Sequence, residues 1–216
     1  MRLREEVSEE LKRLYQELRE VVESRLREFE DVGRKGTQEI FEELCFCLLT
    51  PQSKARAADK ALKELKSLNL LYQGGWQRIS RILERNGVRF YEAKARRIVK
   101  ARKHLNSSFL SHILEIARRS PKAARELLVE HVEGLGYKEA SHFLRNIGFK
   151  GLAILDRHIL RTLKELGALE EVPANLTRDR YIEIERLFFR VADALGIPGE
   201  ALDLVMWARK TGEVFK

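Results

Sequence analysis

Two side chains eighteen positions apart offer the clearest chemistry in this sequence: Lys138, within VEGLGYKEASHFLRN at 132–146, and Asp156, within LDRHIL at 155–160. The pattern places Lys138 in the first turn of a predicted helix, where the helix dipole disfavours a cation. Helix propensity gives no reason for it. An amine with some neutral population can attack an electrophilic sugar carbon and form a Schiff base. Asp156 stands immediately before RHILRTLKEL, the place of an N-cap that accepts the amides of His158 or Ile159. A carboxylate at a helix N-terminus is favoured in its ionised form. The capping role is therefore compatible with a second one, stabilising positive charge that develops on a deoxyribose.

Lys138 needs something to hold it, and the preceding residues supply it. A helix over 121–131, the turn V-E-G-L-G and a helix over 137–146 make two helices joined by a very short connection. Gly134 and Gly136 permit positive φ and the close approach of another backbone. Their amides, with the N-terminus of the second helix, form a positive concavity suited to a phosphate. Leu135 between them would pack back between the helices. Short glycine turns between helices also occur in purely structural settings, so the turn alone does not decide a function.

The remainder reads as helical almost throughout, an all-α fold of around ten helices. Leu3, Val7, Leu11, Leu14, Leu18, Val21 or Val22, Leu26 and Phe29 recur at steps of three and four along one long amphipathic helix ended by Gly33 and Gly36. Thr37 is expected to cap QEIFEELCFCLL, and Ser53, after the break at Pro51, to cap KARAADKALKEL. Gly74-Gly75 and Asn86-Gly87 bracket a short helix, and a basic helix follows from about 90 to 105. Ser120-Pro121 is a cap followed by a first-turn proline. Thr177 opens a helix that runs to Gly196, and Pro198 opens the last, stopped at Thr211-Gly212. No hairpin of alternating runs, βαβ period or internal repeat is present.

Charge points to a partner class. The 216 residues carry a net charge of +8, with a pI near 9.6. Residues 81–103 hold nine basic side chains against Glu84 and Glu92, whereas residues 1–31 hold seven basic and ten acidic ones. A concentrated basic segment suits phosphate neutralisation and favours nucleic acid over a membrane surface. A solvated surface rich in Lys, Arg and Glu is the plainer alternative. Cys45 and Cys47, in an apolar run, make neither a disulfide framework nor a four-thiolate site, and fit core packing in a reducing compartment. MRLREEVSEELKRL lacks a secretory apolar region and no run approaches membrane-spanning length, so a soluble, cytoplasmic protein is expected.

GLGYK followed eighteen residues later by LDRH resembles the helix-hairpin-helix superfamily of base-excision DNA glycosylases, in its bifunctional, lysine-bearing branch. The resemblance implies that Lys138 displaces the damaged base and then nicks the strand by β-elimination, with Asp156 as the essential carboxylate. Endonuclease III-like members usually carry four cysteines after this region, and this chain has none there, which implies no iron–sulfur cluster and no cofactor. The ending, Trp207 followed after eight residues by Lys216, is similar to that of the archaeal and thermophile-type 8-oxoguanine DNA glycosylase/AP lyases. That family associates the terminal lysine with recognition of the base.

From the resemblance follow two helical subdomains with the substrate cleft between them. Residues 35–150, ending in the hairpin element at about 121–146, form one. Residues 1–34 plus 151–216 form the other. A monovalent cation at the carbonyls of Val132 and Leu135 is a further implication, as are double-stranded DNA holding a damaged base as partner and a monomeric state. Glu133 stands where a proline is often found before the hairpin. The α-carboxylate of Lys216 can accept the two adjacent donors on a guanine's Watson–Crick edge, or its ammonium can reach a phosphate. Phe90, Tyr91, His142 and Trp207 are candidates to stack on a flipped base, Trp207 first, and Pro51 and Gln52 candidates to line a cleft. Other readings are the same chemistry on another damaged base, a non-catalytic helix-hairpin-helix DNA-binding module, and a structural all-α protein with a basic surface.

Overall fold

The computed structural model describes residues 3–216, and among these it contains eleven helices and no strand. In order they are α1 (Glu5–Gly33), α2 (Thr37–Leu49), α3 (Ala55–Ser67), α4 (Trp76–Arg85), α5 (Tyr91–Leu105), α6 (Phe109–Arg119), α7 (Pro121–His131), α8 (Tyr137–Asn146), α9 (Arg157–Glu165), α10 (Arg178–Leu195) and α11 (Gly199–Thr211). Several starts are set by side chains. Ser120 accepts the Ala123 amide before Pro121, Thr177 accepts that of Arg180, and Asp156 accepts those of His158 and Ile159.

Two expected caps are absent. Thr37 lies inside α2, whose N-cap is Gly36 in extended backbone. Helix α3 begins after Lys54, and the Ser53 hydroxyl accepts from the Arg89 amide and the Lys94 ammonium instead, each at 2.9 Å. Helix α6 is an addition to the elements expected from sequence. Ser108 makes no side-chain cap there, and Ser107 offers the Phe109 amide only a 3.3 Å contact.

Burial divides the apolar side chains into two clusters. One runs from Ile40 to Leu152, with Phe215 added, and is built on α2 to α8. The other combines Leu11, Val22 and Phe29 of α1 with Ala153 to Met206. The long first helix belongs to the second cluster because its apolar stripe packs on α11, the last helix. Its C-terminal end also touches α8: a Cβ on Gly33 would sit 2.1 Å from the Ile147 carbonyl oxygen, so only glycine permits that approach. The segment Leu152–Leu155 carries the chain from one cluster into the other.

Candidate active site

The hairpin turn sets the lysine. Val132 leaves α7 in extended backbone and its carbonyl accepts the Leu135 amide at 3.1 Å. Gly134 takes φ +94°, the left-handed value that closes so short a connection, with the Arg97 side chain lying over it. Gly136 is extended instead, at φ −96°, so only one of the two glycines uses the left-handed region. Leu135 is buried between the helices, as its type requires. Of the implied cation ligands, Val132 has one carbonyl lone pair committed to Leu135 and one left. Glu133 is exposed and pairs with Lys100 at 2.6 Å.

Lys138 is the second residue of α8, and its Nζ lies 2.9 Å from Oε1 of Glu139. The other Glu139 oxygen accepts the Gly136 amide at 3.2 Å. One carboxylate therefore ties the amine to the hairpin. Asp156 accepts both α9 amides at 2.8 Å on a single oxygen, Oδ1, which leaves the other available. Lys138 and Asp156 line the same cleft, of about 570 Å³, large enough for a nucleotide-sized ligand. One wall is the Thr50–Ser53 turn, another the segment Pro173–Leu176, and the floor comes from α8 and α11.

Trp207 and Lys216 line this cleft, together with His142, Pro51 and Gln52. The Trp207 ring meets His158 edge-on at 5.2 Å, and its Nε1 is buried without a partner. The His142 ring stands edge-on to Phe46, with Nε2 likewise unpartnered. Burial, reinforced by the charge of Arg145, holds His142 well below the usual imidazole range, so it is neutral. The Lys216 ammonium is 2.9 Å from Glu43 and 4.4 Å above the Phe46 ring. An ammonium committed to a buried carboxylate is not a phosphate contact. Glu43 also accepts from Asn146 at 2.5 Å.

Phe90 and Tyr91 do not line the cleft. Phe90 is 55% exposed, in left-handed backbone at the start of α5, with the Arg89 guanidinium 5.5 Å from its ring. The nine cations of 81–103 are not a uniform phosphate surface either. Lys94 is buried, and Arg102 donates to the carbonyls of Leu70, Leu71, Gln73 and Gly74.

The sequence reading missed Asp203, His158 and Arg145, all in the cleft. Asp203 sits 3.5 Å from Arg145, and burial pushes its carboxyl up to about 7 against that opposing cation. A carboxylate one turn before Trp207 on an otherwise apolar helix face was a visible signal.

A family model described as 8-oxoguanine DNA glycosylase matches residues 22–197. The 8-oxoguanine DNA glycosylase/AP lyase of Methanocaldococcus jannaschii is 38% identical over 208 residues, covering 96% of this chain and 97% of that one. The crystal structure of the 8-oxoguanine DNA glycosylase of Thermotoga maritima superposes with a TM-score of 0.89 at 35% identity, covering 98% and 99% of the two chains. The M. jannaschii glycosylase/lyase in complex with a 15mer DNA containing 8-oxoguanine superposes at 0.85 and 36%, over 95% and 99%. Matched by that model over most of its length and by these relatives almost end to end, this chain belongs to the 8-oxoguanine DNA glycosylase family.

Proposed function

We propose that this protein excises 8-oxoguanine from double-stranded DNA and cleaves the strand at the resulting abasic site. The observation that carries the reading is that Lys138 and Asp156 line one nucleotide-sized cleft beside the hairpin. The Gly134 amide and exposed cations grip the backbone while the target nucleotide leaves the stack; the Gly136 amide is taken by Glu139. The Lys138 ammonium first gives up its proton to the Glu139 carboxylate 2.9 Å away. Its lone pair then forms a bond to C1′ as the glycosidic bond breaks, and the electron pair leaves with the base. Asp156 stabilises the positive charge that builds on the sugar. The adduct opens to a Schiff base, loss of a C2′ proton expels the 3′ phosphate, and hydrolysis frees the amine.

Trp207 and His142 line the cleft and are the ring surfaces offered to the base. Lys216 contributes from the cleft floor through its main chain, since its ammonium is held by Glu43. The two apolar clusters are read as the two subdomains, 35–150 and 1–34 plus 151–216, with the cleft between them. No cofactor enters this chemistry, and the protein acts as a monomer in the cytoplasm, where the DNA lies. No helix among the described residues is long and apolar enough to cross a membrane.

The test is borohydride trapping on a duplex with 8-oxoguanine opposite cytosine. A covalent protein–DNA adduct is expected with the wild type and none with Lys138→Gln. An adduct on an abasic duplex alone would keep the lyase and exclude this base. No adduct on either would favour a non-catalytic DNA-binding module.

A further inference from the structure

Helix α2 ends at Leu49, and its last carbonyls have no helical partners. Thr50, Pro51, Gln52 and Ser53 follow and form one wall of the cleft. The turn is closed by the Ser53 amide on the Thr50 carbonyl at 3.0 Å. Gln52, exposed at its tip, is held at φ +54°, a left-handed conformation that L side chains rarely adopt. Something outside the turn has to maintain it.

That something is Lys94, from the middle of α5 and forty-odd residues away in sequence. Its Nζ donates to the Leu49 carbonyl at 2.8 Å, the Pro51 carbonyl at 2.7 Å and the Ser53 hydroxyl at 2.9 Å. These three acceptors use all three ammonium hydrogens, and the side chain is 1% exposed. No carboxylate pairs with it among the described residues. Ser53 Oγ in turn accepts the Arg89 amide at 2.9 Å, so the start of α5 is tied to the same point. A buried cation without a counter-ion is costly to keep. Here burial, with the charges of Arg97, Lys138 and Arg89 added, pulls its pKa down to about 8. A burden of that kind, with three acceptors drawn from one turn, is better explained by the geometry it enforces.

We propose that Lys94 is a positioning residue for base excision, its buried ammonium clamping the Leu49–Ser53 turn so that Pro51 and Gln52 present a fixed wall to the nucleotide in the cleft. The inference rests on the function proposed above. The clamp makes no hydrogen bond to Lys138 or Asp156, so its loss moves the wall, while the lost charge near Lys138 bears on both reactions and cancels in their ratio.

The experiment compares single-turnover rates on two duplexes, one holding 8-oxoguanine opposite cytosine and one a preformed abasic site. An abasic substrate has no base to set against the wall. Lys94→Met is expected to slow excision of 8-oxoguanine about thirtyfold, as displacement of a positioning group by under an ångström does, and abasic cleavage no more than about threefold. Ser53→Ala, which removes one acceptor and keeps the ammonium, should slow excision about fivefold with abasic cleavage unchanged. If Lys94→Met does not fold, the Ser53→Ala ratio decides. Equal loss of both rates in the folded variants would make Lys94 merely structural and overturn the inference. So would no loss in either. A wild type that fails to excise 8-oxoguanine would overturn the functional reading itself, and that control separates the two failures.

Discussion

Two buried arginines in this molecule are treated in opposite ways. Arg125 of α7 donates to both oxygens of Glu185 on α10, at 2.6 and 3.0 Å, and to Ser141, with only Nε left over. The Ala153 amide completes Glu185 at 3.0 Å, and the Tyr137 and Tyr181 rings lie within 5.4 Å of the guanidinium. Arg145 of α8 is as deeply buried, yet its carboxylate Asp203 is 3.5 Å away and both Nε and Nη1 are without partners. Asn146 Oδ1, His142 Nε2 and Trp207 Nε1 share that condition. The first arginine joins the two apolar clusters. The second lies under the cleft. Arg125 is paired at both terminal nitrogens where the two clusters join, and Arg145 faces its carboxylate with one nitrogen where it lines the cleft.

The comparison can be broken by variants that should separate chemistry from stability. Lys138→Gln is expected to lower excision at least about 10⁴-fold while the urea midpoint stays unchanged. Parallel single-turnover and unfolding measurements would check it. Arg125→Met should do the reverse, losing about 3–5 kcal/mol of stability because Glu185 is left buried and uncompensated, with the folded fraction still active. A large loss of activity per folded molecule would abolish the distinction between the two sites.

Asp203→Asn sharpens it through pH. The Asp203 carboxyl is raised from 3.8 to about 7 in the fold. Between those values the folded protein holds a proton that the unfolded chain has released, so this group makes stability fall as pH rises from about 4 to 7. Asp203→Asn should flatten that slope, worth roughly 4 kcal/mol across the window, in urea titrations at successive pH values. The exposed Lys100–Glu133 pair is the counter-case, where little is at stake. Glu133→Gln should leave stability alone and raise affinity for undamaged duplex two- to threefold at low salt, by freeing one cation.

What the sequence disclosed was local. Asp156 was readable as a cap because its partners are two and three residues on, and the hairpin because glycine, leucine and glycine fall within one short turn. Ser53 looked like a cap by the same logic, but its hydroxyl is claimed by Lys94 from another helix. Lys94 itself was one of nine basic residues in a run, and no pattern along the chain distinguishes a buried ammonium from a solvated one. Phe90 lies outside the cleft lining for a related reason, since an aromatic type says nothing of where a left-handed residue aims. Asp203 and Arg145 acquire meaning only when α8 and α11 meet.

The pairing of α1 with α11 has a consequence for how the protein comes into being. A ribosome delivers α1 among the first residues and α11 among the last. Throughout elongation the apolar stripe of Leu11, Val22 and Phe29 therefore waits for the helix that will cover it. The cluster built on α2 to α8 can condense earlier, and its own last contribution, Phe215, arrives with Trp207 and Lys216. The nascent chain thus holds Lys138 and its hairpin well before it holds Trp207 and Lys216, which line the same cleft.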